Sequence, residues 1–295
     1  MICMLRLRRD MMLWPDGRDK CCTLSFDDGT VEDRRICEML RSHNLRATFN
    51  INTGLLGHSD ELHQSGIDVV HEKLPLQVLA EVYDGFELAV HGYSHAHMGE
   101  EPPSMTAYEI IRCKAEIESI THTPVRGMAW PISYDGYWMG DAKKLAKACG
   151  ICYARTTRRS YDCVGVPSDF LAWDAACSFV EDEMEPIVTK FLKPRPVGCT
   201  KPYLLYVWGH GYEATGRDAW NRLGWLFDQV SFKPDVWYAS NIEVFDYVQA
   251  YRNLVYSATG DYIFNPGRMD VWLLVDDKPV CIPSAQTVEI GAWER

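Results

Sequence analysis

The hydrophobic positions along the chain follow two alternating patterns. Compact apolar runs of strand type are followed by stretches in which apolar residues recur every three or four positions, with charges on the opposite face. The run at 20–26 reads KCCTLSF and leads into Asp-Asp-Gly, as a buried parallel strand does where it delivers polar side chains to a site. Repeated succession of the two patterns predicts an α/β protein, built as a barrel or as a doubly wound sheet.

The predicted elements extend from residue 20 to residue 253. Strands are predicted at 20–26, 47–51, 86–90, 125–130, 151–154, 203–208 and 236–239, and helices at 32–43, 75–83, 107–119, 141–148, 185–192, 219–229 and 242–253. In both architectures the chemistry lies at the carboxyl ends of the strands.

After about residue 255 the pattern changes to short β runs separated by turn-forming residues such as Asn265-Pro266-Gly267. A segment of this length is too short for a confident independent core. We therefore expect a catalytic domain at 1–255 and a small β-rich extension at 256–295 that packs on it.

Composition narrows the class of protein. The 295 residues include 30 basic and 41 acidic side chains, giving a formal net charge of −11, and 47% are hydrophobic. A chain this apolar can bury a full core, which excludes an extended disordered protein, and net acidity disfavours binding to a phosphate backbone. No apolar run approaches the roughly 18 residues of a membrane-spanning helix. We expect neither nucleic acid nor membrane as a partner.

The N-terminal sequence and the cysteines indicate in which cellular compartment the protein is expected. Asp10, Pro15 and Asp16 interrupt what would be the apolar stretch of a secretion signal. The 11 cysteines are odd in number and irregular in spacing, and several lie inside apolar patterns, as reduced thiols do. We expect a cytoplasmic protein with free thiols.

Three polar clusters each follow a predicted strand. In Asp27-Asp28-Gly29, a bend at the glycine would let one carboxylate bind a cation while the other acts as a general base, although a solvated turn has the same signature. In His91-Gly92-Tyr93-Ser94-His95, two histidines four apart would share one face of a helical turn and reach one metal, a weak signal by itself.

The third cluster is Trp208-Gly209-His210-Gly211, in which the tryptophan would form an apolar wall that tunes the pKa of the histidine towards neutrality. A parallel sheet would bring all three clusters to one rim. Together they offer an Asp-His-His metal set, a spare carboxylate and a spare imidazole, which is the inventory of a metallohydrolase.

The order LSFDDG, HGYSH, an Arg-containing segment ending in Trp-Pro, and a late His after a strand resembles the polysaccharide deacetylase family, the NodB-homology group of carbohydrate esterases. The resemblance spans about residues 20–250. It implies a distorted (β/α)7 barrel, here with a small C-terminal β appendage, that removes acetyl groups from N-acetylated sugars with a divalent metal. Zinc is the expected metal, with Co²⁺, Ni²⁺ or Mn²⁺ as alternatives.

The resemblance also implies a role for the residues of the three clusters. Asp27 would be the catalytic base and His210 the general acid. The metal ligands would be Asp28, His91 and His95.

Other parts of the family pattern are altered. Arg126, in the segment that ends in Trp-Pro, is the candidate that orients Asp27, and Arg155 competes with it. Trp173-Asp174 is the nearest equivalent of a family motif that pairs an Asp with a Trp beside the base and acid. The candidate substrate-binding residues are Trp130, Pro131, Tyr134, Trp173 and Trp208, with core packing as the alternative role for the aromatics.

Two hypotheses about the reaction share this site. The first is a deacetylase acting on an N-acetylated sugar or glycan. The second is a hydrolase of a small amide, cyclic imide or ureide, favoured by the missing secretion signal. An inactive carbohydrate-binding protein is the third alternative, and the full set of polar residues counts against it. The sequence leaves a homo-oligomer open.

Overall fold

The computed structural model describes residues 10–64, 66–132, 139–196 and 198–290. The strands are β1 (Asp10–Leu13), β2 (Lys20–Asp27), β3 (Thr48–Ile51), β4 (Ser59–Gln64), β5 (Ile67–Glu72), β6 (Glu87–Val90), β7 (Gly127–Ala129), β8 (Tyr153–Arg159), β9 (Trp173–Ala175), β10 (Cys177–Ser178), β11 (Tyr203–His210), β12 (Val236–Tyr238), β13 (Val255–Tyr256), β14 (Tyr262–Phe264), β15 (Val271–Val275), β16 (Lys278–Ile282) and β17 (Thr287–Glu289). The α-helices are α1 (Asp33–Ser42), α2 (Leu79–Val82), α3 (Pro103–Thr121), α4 (Met139–Ala148), α5 (Met184–Leu192), α6 (Gly211–Gly216), α7 (Trp220–Val230) and α8 (Asn241–Arg252).

The centre of the fold is a parallel sheet that nearly closes into a barrel. Its strand order is β10-β11-β2-β3-β6-β7-β8-β9, and β12 pairs with the first half of β2. Closure comes from the segment 173–178, because β9 pairs with β8 whereas β10 pairs with β11. The predicted distorted barrel of NodB type is therefore confirmed.

Side chains alternate between two environments along the strands. On β2, Cys22, Leu24 and Phe26 belong to the main hydrophobic core, which includes apolar residues of α1, α3, α5 and α7. Cys21 belongs to a second core cluster that also contains tryptophan and tyrosine side chains of the barrel. Every residue of β2 is buried, as expected for a strand covered on both faces.

The C-terminal β runs form two small sheets. One contains β13, β14 and β17, and the other places β15 between β16 and β1. The pairing of β1 with β15 shows that residues 10–13, which the predicted division assigned to the catalytic part, lie in a sheet of the extension. The division at residue 255 itself stays a prediction.

Two regions between β3 and β6 differ from the sequence-based elements. The predicted helix at 75–83 is a 3₁₀ turn, Leu76–Val78, followed by the single turn of α2. The antiparallel hairpin of β4 and β5, between β3 and β6, was not predicted, because its strands are rich in charged and polar residues.

Two further observations concern the described part of the chain. The ten cysteines within it are all free thiols, and six of them are buried. Among the described helices, none combines the length and the apolar character needed to cross a membrane.

The aromatic packing around Phe49 gives a test of the core. Its ring is fully buried, with centroids 4.6 Å from Tyr83, 5.6 Å from Phe26 and 5.5 Å from Phe86. We expect Phe49→Ala to lower the free energy of unfolding by about 3–5 kcal/mol, because it leaves a cavity. The control Ile111→Ala, at a side chain 47% exposed on α3, should change it by less than about 0.5 kcal/mol in the same urea titration. Equal losses for both variants would contradict this packing.

Candidate active site

The register of the parallel sheet brings three polar side chains together at the carboxyl rim of the barrel. Asp27, the last residue of β2, is paired in register with Asn50 on β3 and with His210 at the end of β11. Residues in register on neighbouring parallel strands point to the same side of the sheet. The pairing of β2 with β3 and β11 therefore places Asp27, Asn50 and His210 side by side.

Asp27 is almost fully buried and hydrogen-bonded through both carboxylate oxygens. Asn50 Nδ2 donates to its Oδ1 at 2.7 Å, and the Arg155 guanidinium donates to its Oδ2. Arg155 is itself buried, with its guanidinium 3.8 Å from the centroid of the Trp208 ring. A buried carboxylate needs such partners to offset the loss of water, and these two fix its orientation.

Asp28 leaves the strand in a left-handed conformation. Its φ is +83°, that of Gly29 is +67°, and its N–H donates to the carbonyl of Asn50 at 2.9 Å. The bend predicted at Gly29 thus begins one residue earlier. It allows two adjacent carboxylates, which would point in opposite directions on a straight strand, to face one site.

The two candidate histidine ligands lie on a loop that follows β6. The predicted helical turn is wrong, because Gly92 and His95 have φ values of +79° and +62°. Glu109 of α3 fixes this loop by accepting hydrogen bonds from the Ser94 N–H and hydroxyl, both at 2.7 Å. The rings of His91 and His95 meet edge to face with centroids 4.9 Å apart.

Asp28, His91 and His95 form a group that could hold a metal ion, since one ligand atom from each lies within 4.8 Å of the others. The Nε2 atoms of both histidines lie 3.8 Å from Asp28 Oδ1. This oxygen is buried and accepts no hydrogen bond from the described residues, although the Lys73 ammonium lies 3.3 Å from it as an ion pair. The donor set fits a divalent cation, because carboxylate and imidazole are common zinc ligands.

The protonation states of His91 and His95 also suit the binding of a metal ion. His91 Nδ1 lies 2.9 Å from the carbonyl oxygen of Ala129, so this nitrogen carries the hydrogen and Nε2 is left with its lone pair. Burial lowers the pKa of His91, and burial together with His91 lowers the pKa of His95 to about 4. Neutral imidazole is the form that binds a metal.

The pKa of His210 is shifted in the opposite direction from those of His91 and His95. Its Nδ1 lies 2.9 Å from Glu213 Oε2, and its Nε2 lies 4.0 Å from Asp27 Oδ2. Burial alone would lower the pKa of His210, but the hydrogen bond and charge of Glu213, with the charges of Asp28 and Asp27, raise it to about 9. Trp208 does contact the ring, at 5.3 Å between centroids. The predicted shift towards neutrality is nevertheless wrong, because the carboxylates dominate.

A family model described as polysaccharide deacetylase matches residues 15–154. These residues, a little under half of the chain, are thus similar to the polysaccharide deacetylase family. The match includes the Asp-Asp-Gly turn and the loop with both histidines, whereas Arg155, His210 and Glu213 lie beyond it. The place of these three residues beside Asp27 and Asp28 rests on the geometry given above.

The solved structures that match this chain have distant sequences. A Mycobacterium smegmatis protein assigned as a polysaccharide deacetylase is 16% identical, with a TM-score of 0.56 over 82% of this chain and 94% of that one. A Streptococcus pyogenes deacetylase in complex with acetate is 18% identical, with a TM-score of 0.38 over 46% of this chain. A family 4 carbohydrate esterase pseudoenzyme from Bacillus anthracis is 15% identical, with a TM-score of 0.46 over 80% of this chain and 68% of that one.

Only the first of these three similarities is close enough to bear on the fold, and at this identity it bears on nothing else. The chain spans 55% of the length of the streptococcal deacetylase. No curated protein matches the sequence.

Arg126 lies away from Asp27. It precedes β7, at the edge of the sheet opposite the rim, and its guanidinium pairs with Asp246 of α8, with Nη2 to Oδ2 at 2.6 Å. Arg155 lies inside β8 and contacts Asp27 directly. Of the two candidate arginines, Arg155 is therefore the one in contact with Asp27.

The predicted aromatic substrate residues are mostly buried. Trp130 is 2% exposed and donates its indole N–H to the Leu171 carbonyl, and Trp173, also 2% exposed, packs on Tyr206. Trp208 is 5% exposed beneath Arg155. Core packing, the alternative role, covers these three rings, and a role for them in substrate binding stays a prediction.

The remaining substrate candidates stay predictions. Pro131 is buried, close to Gly92 of the histidine loop. Tyr134 lies outside the described residues.

Sequence reasoning missed the carboxylate that contacts His210, the candidate general acid. The expected carboxylate was Asp174, which instead accepts hydrogen bonds from Thr156 and Arg158. Glu213 instead holds His210, because it is the third residue of α6 and His210 caps that helix. The signal was present as the spacing His-x-x-Glu after a strand, which is a variant of the capping box.

The raised pKa of His210 can be measured. In metal-free protein, the His210 ring should titrate by NMR with a midpoint of about 9, and His210→Asn identifies its signals. Glu213→Gln should move the midpoint towards the ordinary value of about 6.5, since it removes the adjacent charge.

The same shift predicts a pH dependence of stability. A pKa raised in the folded state stabilises the protein fully below the unfolded value, and this contribution is lost as pH rises through about 9. The free energy of unfolding of metal-free protein should therefore fall between pH 7 and pH 10 more in the wild type than in Glu213→Gln. A wild-type midpoint at or below the ordinary value would refute the assignment.

Proposed function

We propose that this protein is a metal-dependent hydrolase that removes an acetyl group from an N-acetylated sugar or glycan. The observation that carries the proposal is the convergence, at one rim, of a metal-binding group with a carboxylate, Asp27, and an imidazolium, His210. The match of residues 15–154 to the polysaccharide deacetylase family supports the same reaction class. Hydrolysis of an amide needs an activated water, a base for its proton and an acid for the leaving amine.

Asp28, His91 and His95 would hold the metal, and Zn²⁺ is the ion that three such ligands with an open position suit best. When bound there, a divalent metal lowers the pKa of a water molecule and polarises the acetyl carbonyl.

Asp27 acts as the general base in this proposal. Its Oδ2 lies 3.7 Å from His91 Nε2, so the carboxylate borders the metal-binding group without belonging to it. Arg155 and Asn50 hold both oxygens in place, and all three side chains are buried. The carboxylate takes the proton of the attacking water.

His210 acts as the general acid. A histidine with a pKa of about 9 carries its proton at neutral pH. Glu213 binds Nδ1, and Nε2, which carries the other proton, lies 4.0 Å from Asp27 Oδ2. Acid and base therefore face each other, and the departing amine nitrogen takes the proton from Nε2. Glu213 is a positioning residue, because it acts through His210.

The reaction is tested by measuring acetate release from N-acetylglucosamine oligomers. We expect turnover with added Zn²⁺ or Co²⁺, complete loss after treatment with a chelator, and recovery when the metal is restored. Absence of acetate from every N-acetylated substrate, combined with turnover of a cyclic imide, would replace the deacetylase by a small-amide hydrolase. Metal binding without any turnover would support an inactive relative.

The roles of base and acid predict two variants with large effects. Asp27→Asn and His210→Asn should each lower kcat by about 10² to 10⁴, the usual contribution of a general base or acid. The matched control is Arg126→Met, which removes a charge from a salt bridge outside the site and should leave kcat within about twofold. Full turnover of His210→Asn would remove His210 from the role of acid.

A further inference from the structure

The β4–β5 hairpin is hydrogen-bonded directly to the turn that carries Asp28. The Val31 N–H donates to the Glu72 carbonyl at 3.0 Å, and the Leu74 N–H donates to the Gly29 carbonyl at 2.9 Å. Between these bonds, Thr30 and Lys73 form an antiparallel bridge. The hairpin and the Asp28 turn are thus one hydrogen-bonded unit, and side chains from β5 have a fixed position relative to the carboxylate.

Two side chains, His71 of β5 and Lys73 directly after that strand, lie close to different oxygens of this carboxylate. His71 and Lys73 are two residues apart, so they share one face of the extended chain. Lys73 Nζ lies 3.3 Å from Asp28 Oδ1, and His71 Nε2 lies 3.3 Å from Asp28 Oδ2. Lys73 is 5% exposed, and a buried ammonium requires a negative partner.

Lys73 shares its oxygen with the metal-binding group. The Nε2 atoms of His91 and His95 are both 3.8 Å from Asp28 Oδ1, the same oxygen that Lys73 approaches. Of the three groups, Lys73 lies nearest to this oxygen, at 3.3 Å. The carboxylate therefore has a cation of its own before any metal arrives.

We propose that Lys73 is a tethered cation that occupies Asp28 Oδ1 in the metal-free protein, and that a divalent cation must displace it to bind Asp28, His91 and His95. The inference rests on the metal site of the proposed function and adds its regulation. A divalent ion at this group and an ammonium beside the same oxygen repel each other in a site that water screens poorly. The hairpin thereby weakens metal binding.

The same repulsion bears on which metal is retained. Metals that bind imidazole strongly, such as Zn²⁺, gain enough from the two histidines to displace the ammonium. Mn²⁺ stands lower in that order and gains less from the same ligands. Lys73 thus favours zinc, because a metal that gains less from the two histidines does not displace the ammonium.

The test compares Lys73→Met with a matched control. Lys20 is the other buried lysine among the described residues, and its Nζ pairs with Asp235 at 2.8 Å, at the opposite end of β2. Affinities for Zn²⁺ and Mn²⁺ are measured by competition with a chromophoric chelator. We expect Lys73→Met to bind both metals at least tenfold more tightly than the wild type, equivalent to about 1.4 kcal/mol. Lys20→Met should remain within about twofold.

A second readout covers the stability of the variant. Without metal, Lys73→Met should have a lower Tm than the wild type, because Asp28 loses its buried partner, and saturating Zn²⁺ should raise its Tm by more than it raises that of the wild type. If Lys73→Met does not fold, Lys73→Gln removes the charge and retains a hydrogen-bond donor.

Each outcome bears on one proposal or the other. If the wild type binds metal and the folded Lys73 variant binds it with equal or lower affinity, the proposal for Lys73 is wrong. The proposed metal-dependent function is not affected by that result. Metal binding by the variant but not by the wild type supports it and removes the metal-dependent reaction of the native protein. Absence of metal binding in both overturns both proposals.

Discussion

Two adjacent carboxylates are buried at the rim of the barrel, and the organisation of the site follows from the need to balance their charge. Asp27 is balanced by Arg155, which comes from β8 across the interior of the barrel. Asp28 is approached by Lys73 from the hairpin and by the imidazoles of the histidine loop. Two like charges so close together are tolerated in low dielectric only when each has its own partner. The strands, the histidine loop and the hairpin each supply groups that balance the charge of one of these carboxylates.

The sequence was most informative where strands end. The clusters containing Asp27, His91 and His210 each follow a compact apolar run, and carboxyl ends of parallel strands meet at one rim. Arg126 was chosen because of its place in a family motif. Its place in the strand pointed elsewhere, since it stands at the amino end of the predicted strand 125–130 and directly before β7, opposite the rim. Arg155 directly follows the predicted strand at 151–154, on the side of the rim, and contacts Asp27.

The rest of the site depends on contacts that no local pattern encodes. His71 and Lys73 lie in a polar hairpin whose position is set by backbone hydrogen bonds to the Asp28 turn. The burial of Trp130, Trp173 and Trp208 depends on the residues that cover them, and a tryptophan in a core has the same sequence signature as one that binds a sugar. Glu213 alone had a readable signal, since it is close to His210 in the chain.

The pairing of β2 with β11 has a consequence for how the protein is made. Both strands are nearly fully buried, yet β11 begins at Tyr203, long after β2 ends at Asp27. At about 5–20 residues per second, a ribosome needs on the order of ten seconds or more to synthesise the intervening chain. During that interval one edge of β2 lacks its main partner, and such an edge is prone to pair with other chains. The strand pairing that joins Asp27 to His210 therefore also makes the nascent chain dependent on protection from aggregation until its second half emerges.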